Sequence, residues 1–313
     1  MSAATIAGGS RQPRFSTKQK LLAILGIYVL GIVVIGVLAG GGSRNASYEP
    51  QNEFKLENWV PIHLAGVDFS ITKAVMYLLI AATLTCVSMI YIARRMRQRP
   101  NRVQTAVEMI FNLLRENIVA GNMDKKMAAR WFPFIATLFL FILFSNLIGY
   151  IPLPTNIEHK ISVFGLQIPS FSLYAATANL SIPLVLALVV FIAYTTEGIR
   201  AKGPLGYLKG LIPAGVSGGM AVPIFILEIL SNLMRLLSLS IRLFANVLAG
   251  HLLILFMSGA LAVLLGVAAL GWFTLPLGIA LFAFEVTLVA ALQAFIFATL
   301  TAIYLAGAVA DHH

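Results

Sequence analysis

Charged side chains are scarce in this sequence. They make up 11% of the residues, whereas hydrophobic residues make up 59% and the mean hydropathy is +0.90. A soluble domain carries about 25% charged residues, so this chain cannot build a water-facing surface of ordinary size. Between Arg242 and Asp311 the only formally charged residue is Glu285. The scarcity of charge therefore excludes a soluble globular protein and favours a protein embedded in a lipid bilayer.

Cysteine is almost absent as well. The single cysteine, Cys86, lies inside an apolar segment, so it cannot form an internal disulfide and is more often a small hydrophobic residue than a nucleophile. The apolar–polar alternation of a membrane β-barrel is missing, and no spaced pair of histidines suggests haem. These absences predict an all-α, polytopic membrane protein.

The net charge of +10 would also suit a nucleic-acid-binding protein. The positions of the basic residues argue against that class, because a group of them directly follows an apolar run: Arg94, Arg95, Arg97, Arg99 and Arg102. This pattern is typical of a cytoplasmic loop, and no basic stripe interleaved with aromatic residues is present. We therefore expect no nucleic-acid partner.

Six hydrophobic units follow one another along the chain. A helix that crosses the membrane needs roughly 20 apolar residues, and each unit is about that long or longer. They are residues 21–40, 75–93, 132–151, 174–194, 222–256 and 260–306. The last two exceed a simple crossing, so we expect them to tilt strongly or to fold back within the bilayer. Residues 103–114 have apolar residues at helical spacing and predict an amphipathic helix at the cytoplasmic surface.

The distribution of basic residues predicts the orientation. With the N-terminus inside, sixteen of the 22 Lys and Arg residues lie in inside segments and four in outside segments, so both termini are expected in the cytoplasm. The chain then divides into a cytoplasmic tail (1–19), an additional helix with an outside segment (20–72) and a main membrane domain (73–313). Residues 21–40 are either a retained helix or a cleaved signal peptide, and their length favours the helix.

The fifth unit carries a polar stripe. On a helix with 100° per residue, the members of this stripe lie within about 60° of Arg242: Glu228, Ser231, Arg235, Ser238 and Asn246. His251 points to the opposite side. A charge at the membrane centre costs about 2.5–3.5 kcal/mol on insertion scales, so Arg242 is predicted to be functional. Glu228 and Arg235 have the simpler alternative of neutralising each other, and Ser238 and Asn246 that of joining helices by hydrogen bonds.

The last unit supplies candidate partners for this stripe. Glu285 is the only carboxylate near its hydrophobic middle, and a buried carboxylate without a partner carries a proton part of the time, as a proton relay requires. Gln293 both donates and accepts hydrogen bonds, so it is suited to holding a guanidinium without neutralising it. Glu285 and Gln293 therefore join the candidate site.

Five motifs resemble the subunit a family of bacterial F-type ATP synthases, in family order and over roughly residues 70 to 306. They are Gln104–Glu108, Asn146–Pro152, Thr177–Leu180 with Leu186–Leu188, Leu237–Leu253 and Leu292–Tyr304. The resemblance implies a proton-translocating stator subunit that lies against a ring of c subunits and has two aqueous half-channels. It also implies a b-subunit peripheral stalk, the rest of the complex and a bacterial plasma membrane as surroundings, with no cofactor, no metal and no catalytic site for ATP on this chain.

The resemblance assigns roles to single residues. Arg242 matches the essential arginine between the half-channels, Asn246 and Gln293 match the residues that flank it, and Ser238 lies on the same face. Glu228, His251 and Asn179 match polar half-channel positions, although Asn179 stands where many bacterial members have Asp. In the family an acid or imidazole precedes the glutamine by seven residues. Here Glu285 precedes Gln293 by eight, which predicts a rotation of about 100° away from His251.

Two other function classes remain open at this point. An ion-coupled secondary transporter also buries charges, but it predicts internal repeats, which are not evident here. A purely structural subunit of a respiratory complex leaves Arg242 without a purpose. The choice between H⁺ and Na⁺ and the number of ring subunits depend on another chain.

Overall fold

A computed structural model of the chain describes residues 26–27, 30–31, 34, 56, 58–61, 63–64, 67–68, 70–95, 101–163, 166–172, 174–212, 218–257 and 268–310. The chain divides into two compact units, residues 1–49 with 255–280 and residues 50–254 with 281–313. In the first unit the described residues between 26 and 34 are helical. Most of the predicted first helix, and the choice between a retained helix and a signal peptide, lie outside the described residues.

Helices make up most of the described chain. They are α1 (Lys73–Arg95), α2 (Arg102–Asn112), α3 (Lys125–Gly149), α4 (Ser181–Lys202), α5 (Pro204–Gly210), α6 (Ala221–Leu255), α7 (Ala268–Phe284) and α8 (Ala290–Val309). Two π-helical segments, Leu113–Val119 and Glu285–Val289, follow α2 and join α7 to α8. Among the described residues, five helices are long and apolar enough to cross a membrane. The all-α, polytopic prediction is confirmed.

Local sequence signals set the helix ends. The Asn101 side chain accepts a hydrogen bond from the Gln104 amide at 2.8 Å and begins α2, as an N-cap residue does. Gly203 ends α4 with a φ of +76°, a backbone conformation that residues with a side chain rarely adopt. Pro204 then begins α5 at the position where proline fits a helix. This Gly-Pro pair therefore turns the chain sharply after the membrane helix.

Short strands occupy the two segments predicted to lie outside. The strands β1 (Asn58–Val60) and β4 (Ile71–Thr72) pair, as do β2 (His63–Leu64) and β3 (Val67–Asp68), and β5 (Leu153–Val163) with β6 (Leu166–Ser172). All three pairs are antiparallel. Nothing in the hydrophobic pattern predicts these strands. The fourth hydrophobic unit is predicted to start at residue 174, whereas α4 begins at Ser181 after a short 3₁₀ turn.

The core of the second unit lies among α3, α4, α6 and α8, with α8 packed against both α3 and α4. The end of α3 comes unusually close to the 3₁₀ turn, because a Cβ on Gly149 would lie only 2.7 Å from the Cα of Ala175. Only glycine permits this approach. It brings the Gly149 carbonyl and the following Tyr150 into the interior, where α6 and α8 also arrive.

Candidate functional site

Helix α6 presents two different polar faces. Ser238, Arg242 and Asn246 are exposed on its outer side, whereas His251 is buried with 3% of its surface exposed. Four-residue steps return to nearly the same side of a helix, and nine residues lead to the other side. The two faces predicted from the sequence are therefore present.

Arg242 has no counter-charge within the described part of the chain. It makes no hydrogen bond or ion pair with any described residue. The large hydrophobic residues exposed on the same helix include Leu230, Leu233, Met234 and Ile241. A guanidinium at membrane depth is costly unless it is paired or hydrated, and none of the described residues pairs with Arg242.

Glu228 and Arg235 form an ion pair near the start of α6. Their Oε1 and Nη2 atoms are 3.7 Å apart, and Arg235 also donates a hydrogen bond to Asn232 at 3.3 Å. The Arg235 guanidinium lies 6.0 Å from the centre of the Tyr304 ring on α8. These four residues line a cavity of about 360 Å³ together with Tyr194, Lys202, Tyr207, Gly210, Leu211, Ile303, Gly307 and Ala308. Glu228 thus has both a partner and access to open space.

Tyr150 connects Glu285 with His251. Its hydroxyl donates a hydrogen bond to Oε2 of Glu285 at 3.1 Å, and its ring stacks on the imidazole with centroids 4.7 Å apart. The two imidazole nitrogens lie 2.9 Å from the Val247 carbonyl oxygen and 3.1 Å from that of Gly149. A doubly protonated ring satisfies both carbonyls, whereas a neutral ring satisfies only one.

The predicted 100° rotation of Glu285 is wrong. The segment Glu285–Val289 is a π turn, which holds one residue more than an α turn, and the amide of Ala290 donates to the carbonyl of Glu285 five residues earlier. The extra residue in the sequence is taken up in this turn. The carboxylate of Glu285 and the amide of Gln293 therefore face the same side after eight residues, as they would after seven in a regular helix.

A second cavity of about 360 Å³ lies between α6 and the π turn. It is lined by Asn246, Ala249, Gly250, Leu253, Phe284, Glu285, Leu288, Val289, Leu292 and Gln293. Three predicted site residues, Asn246, Glu285 and Gln293, therefore share one space. A Cβ on Gly250 would lie within 2.7 Å of all three carboxyl atoms of Glu285, so glycine at this position makes room for the carboxylate.

Asn146 fixes the end of the π turn from the side of α3. Its amide nitrogen donates to the Ala290 carbonyl at 3.4 Å, and its oxygen accepts from the Thr177 hydroxyl at 2.8 Å. Asn179, by contrast, lies in another cluster. Its side chain accepts a hydrogen bond from the Ser181 amide at 3.0 Å and also bonds Tyr174. The structure thus brings four of the eight predicted residues together, namely Asn246, His251, Glu285 and Gln293.

Three contacts of the site could not be recognised in the sequence: Tyr150, Gly250 and Asn146. Tyr150 and Asn146 lie in a quoted motif, but nothing in their spacing points to Glu285, which is 135 residues beyond Tyr150. One signal of the π turn was present in the sequence. Glu285 and Gln293 are eight residues apart, and a π turn between them brings both side chains to the same side of the helix. Among the described residues, no group of three or more His, Cys, Asp or Glu is placed to hold a metal ion.

Comparison with known proteins places this geometry in a family context. The family model described as ATP synthase A chain matches residues 75–306. ATP synthase subunit a of Rhizobium rhizogenes is 35% identical over 265 residues, which are 83% of this chain and 96% of that protein. The same subunit of Rubrobacter xylanophilus is 35% identical over 253 residues, covering 80% of this chain and 88% of that protein. That of Parvibaculum lavamentivorans is 32% identical over 269 residues, covering 85% and 95%.

Proposed function

Because the chain belongs to the ATP synthase A chain family, the proton-translocating membrane subunits of the Fo sector, we propose that it forms two half-channels that load and unload the carboxylates of a c-subunit ring. Its further partners are the b-subunit peripheral stalk and the rest of the complex. The membrane is the plasma membrane of a bacterium, with both termini in the cytoplasm. The family match leaves the transporter and the respiratory-complex alternatives without support.

The observation that carries this proposal is the exposed, unpartnered Arg242. It is exposed on a helix whose other exposed side chains include Leu230, Leu233, Met234 and Ile241, and no described residue neutralises it. A ring of subunits that each bring a carboxylate to this face supplies both the apolar cover and the counter-charge. Ser238 and Asn246, one turn before and after Arg242, belong to the same contact surface.

Arg242 then acts as a permanent positive charge. A guanidinium keeps its proton at any physiological pH, so it favours the ionised form of each ring carboxylate that comes close. The carboxylate gives up its proton before it passes Arg242 and takes up another afterwards. The same fixed charge repels protons between the half-channels, which prevents a leak.

Glu285, Tyr150 and His251 form the wall of one half-channel. The hydroxyl of Tyr150 donates a hydrogen bond to the carboxylate while its ring stacks on the imidazole, and the adjoining cavity leads from Glu285 to Asn246 and Gln293. The carboxylate of Glu285 gains and loses the proton at this cavity, and Tyr150 and His251 hold Glu285 in place. In the proposed orientation the end of α3 is outside, so this half-channel opens to the outside, with Asn179 as a further polar position near its entrance.

The cavity around Glu228 belongs to the other half-channel. It lies beside the cytoplasmic ends of α4 and α8 in the proposed orientation, since Lys202 and Ala308 are among its lining residues. Glu228 supplies a titratable group there, and Arg235 keeps its charge compensated at 3.7 Å. The two half-channels are thus separated along α6 by the turns that carry Ser238 and Arg242.

A cross-linking experiment tests the ring contact. In a Cys86→Ser background, we expect Asn246→Cys to form cross-links to c subunits carrying a cysteine beside their carboxylate. Val185→Cys serves as the control, because it is 57% exposed on α4, which carries no residue of the proposed contact. Equal cross-linking at both positions, or none at position 246 in the assembled complex, would overturn the proposed surface.

Replacing Tyr150 by phenylalanine tests the proton path through Glu285. The variant keeps the ring that stacks on His251 but loses the hydrogen bond to the carboxylate, a charge-assisted bond that contributes about 1.5–3 kcal/mol. We expect ATP-driven proton pumping in inverted membrane vesicles to fall by roughly tenfold. In Tyr150→Leu, which also removes the stacking on His251, proton pumping should fall further. Unchanged pumping in the phenylalanine variant would exclude Tyr150 from the path.

A deletion and an insertion in the π turn are expected to have opposite effects. Deleting Thr287 shortens the spacing between Glu285 and Gln293 to that of a regular helix, so both side chains keep their direction and we expect most of the pumping to remain. Inserting an alanine after Thr287 adds a residue that the turn cannot absorb and rotates Glu285 by about 100°. We expect this insertion to abolish pumping. The interpretation fails if the deletion is the more damaging change in complexes assembled to equal levels.

A further inference from the structure

A cavity unrelated to the proton path lies at the start of α3. Its volume is about 550 Å³, within the range of about 300–1,000 Å³ that is typical of small-molecule sites. Most of its lining is apolar: Phe111, Val119, Ala120, Met123, Ala128, Ala129 and Phe132. The rings of Phe111 on α2 and Phe132 on α3 meet edge to face with centroids 4.6 Å apart. This contact joins the surface helix to the membrane helix beside the open space.

Two basic side chains complete the lining. Arg115, in the π segment, and Lys125, the first residue of α3, are both exposed. Neither makes an ion pair or a side-chain hydrogen bond with any residue that the structure describes. The nearest acids along the chain, Glu116 and Asp124, are not among the lining residues. The cavity therefore combines an apolar interior with two cations that form no ion pair with a described residue.

The position of the cavity along the chain corresponds to the depth of lipid headgroups. Helix α2 is short and amphipathic, whereas α3 is apolar and long enough to cross the membrane. The cavity lies where the first kind of helix meets the second, so it faces polar headgroups on one side and acyl chains on the other. A ligand for this place needs an anionic head and an apolar body.

We propose that this cavity binds one anionic phospholipid, with its phosphate between Arg115 and Lys125 and the upper part of an acyl chain against the apolar wall. Basic pockets beside membrane helices bind anionic lipid headgroups in this way. Free phosphate would make no favourable contact with the seven apolar lining residues. A zwitterionic lipid leaves the two charges uncompensated, and the charges therefore select the anionic class.

Photo-labelling of the whole complex tests this site. The purified ATP synthase is reconstituted into phosphatidylcholine vesicles that contain a trace of phosphatidylglycerol or phosphatidylcholine with a diazirine on the acyl chain. After illumination, labelled peptides are identified by mass spectrometry. Cleavage after aromatic residues gives comparable peptides in every variant. We expect phosphatidylglycerol to label the segment from residue 111 to 132 more than phosphatidylcholine does, by about fivefold for each positive charge at the site.

The variants separate charge from shape. R115Q/K125Q should reduce labelling by phosphatidylglycerol to the level of phosphatidylcholine. R102Q/K126Q removes two exposed cations that do not line the cavity, and it should leave the preference intact. Ala128→Phe fills the cavity while keeping both cations, and it should lower labelling by both lipids.

Two results would overturn the lipid site. The first is equal labelling by the two lipids in the unmodified complex. The second is an unlabelled cavity while exposed residues of α1, such as Leu79 and Val87, are labelled, which would mean that another subunit covers it. The charge variants decide the question even where Ala128→Phe does not assemble, and ATPase activity of the complex provides a measure of assembly throughout.

Discussion

Replacing Arg242 by alanine is expected to abolish ATP-driven proton pumping while the headpiece continues to hydrolyse ATP. The measurement compares the quenching of a pH-sensitive dye in inverted membrane vesicles with the ATPase rate of the same vesicles. Arg102→Ala is the matched control, because it removes one exposed arginine at the start of the surface helix α2. We expect that control to pump normally.

The size of the effect follows from the environment of the charge. Removing one partner of a buried ion pair costs about 3–5 kcal/mol, so the ionised form of a ring carboxylate at this place becomes less populated by a factor of about 10² to 10⁴. The carboxylate then keeps its proton as it passes, and no net transport results. Arg242→Lys should also be strongly impaired, since an ammonium is a compact charge that loses its proton when it is desolvated.

The result that contradicts this account is normal pumping by the Arg242→Ala complex. Loss of both pumping and assembled complex would point instead to a packing role. The exposed position of Arg242 argues against such a role, because the side chain fills no space in the core of this chain. Quantifying the assembled complex in the vesicles separates the two outcomes.

Replacing Gly250 by alanine is also expected to have a large effect on pumping. The added methyl group would occupy the place of the Glu285 carboxylate, within 2.7 Å of its three atoms. The backbone of α6 stays where it is, so the flexible end of Glu285 must move and its hydrogen bond to Tyr150 breaks. Overpacking of this kind costs about 1–3 kcal/mol. We expect a large loss of pumping with little loss of assembled complex.

Gly219→Ala, two residues before α6, is the matched control for this change. A Cβ at Gly219 would meet nothing within 4 Å, so the variant adds a methyl group without a clash. We expect it to pump normally. If Gly250→Ala pumps like Gly219→Ala, then the position of the Glu285 carboxylate beside α6 does not matter for proton transfer.

Much of the fold follows from local properties of the sequence. Long apolar runs give membrane helices, because only internally hydrogen-bonded backbone is stable in lipid. Five of the six predicted units correspond to helices among the described residues. The hairpin of β5 and β6 could not be predicted from apolar runs, because this segment contains none of sufficient length.

The candidate site was predictable only along single helices. Spacing within α6 placed Ser238, Arg242 and Asn246 on one face and His251 on the other, because a helix of known pitch converts sequence distance into direction. The same rule failed for Glu285, because it assumes a regular helix and the chain forms a π turn there. Tyr150 and Asn146 act across more than a hundred residues, where spacing carries no information.

The sequence by itself determined that this protein is embedded in a membrane, since it has too few charged residues for a water-facing surface, and it marked the few remaining charged residues as candidates for function. Only the tertiary structure decided where those charges lie relative to one another. In the folded chain Glu285 faces α6, and Tyr150 contacts both Glu285 and His251. Glu228 pairs with Arg235, whereas Arg242 is exposed and pairs with no described residue. The physical reason is that composition sets the free energy of transfer into lipid, whereas pairing depends on contacts between helices that are distant in sequence.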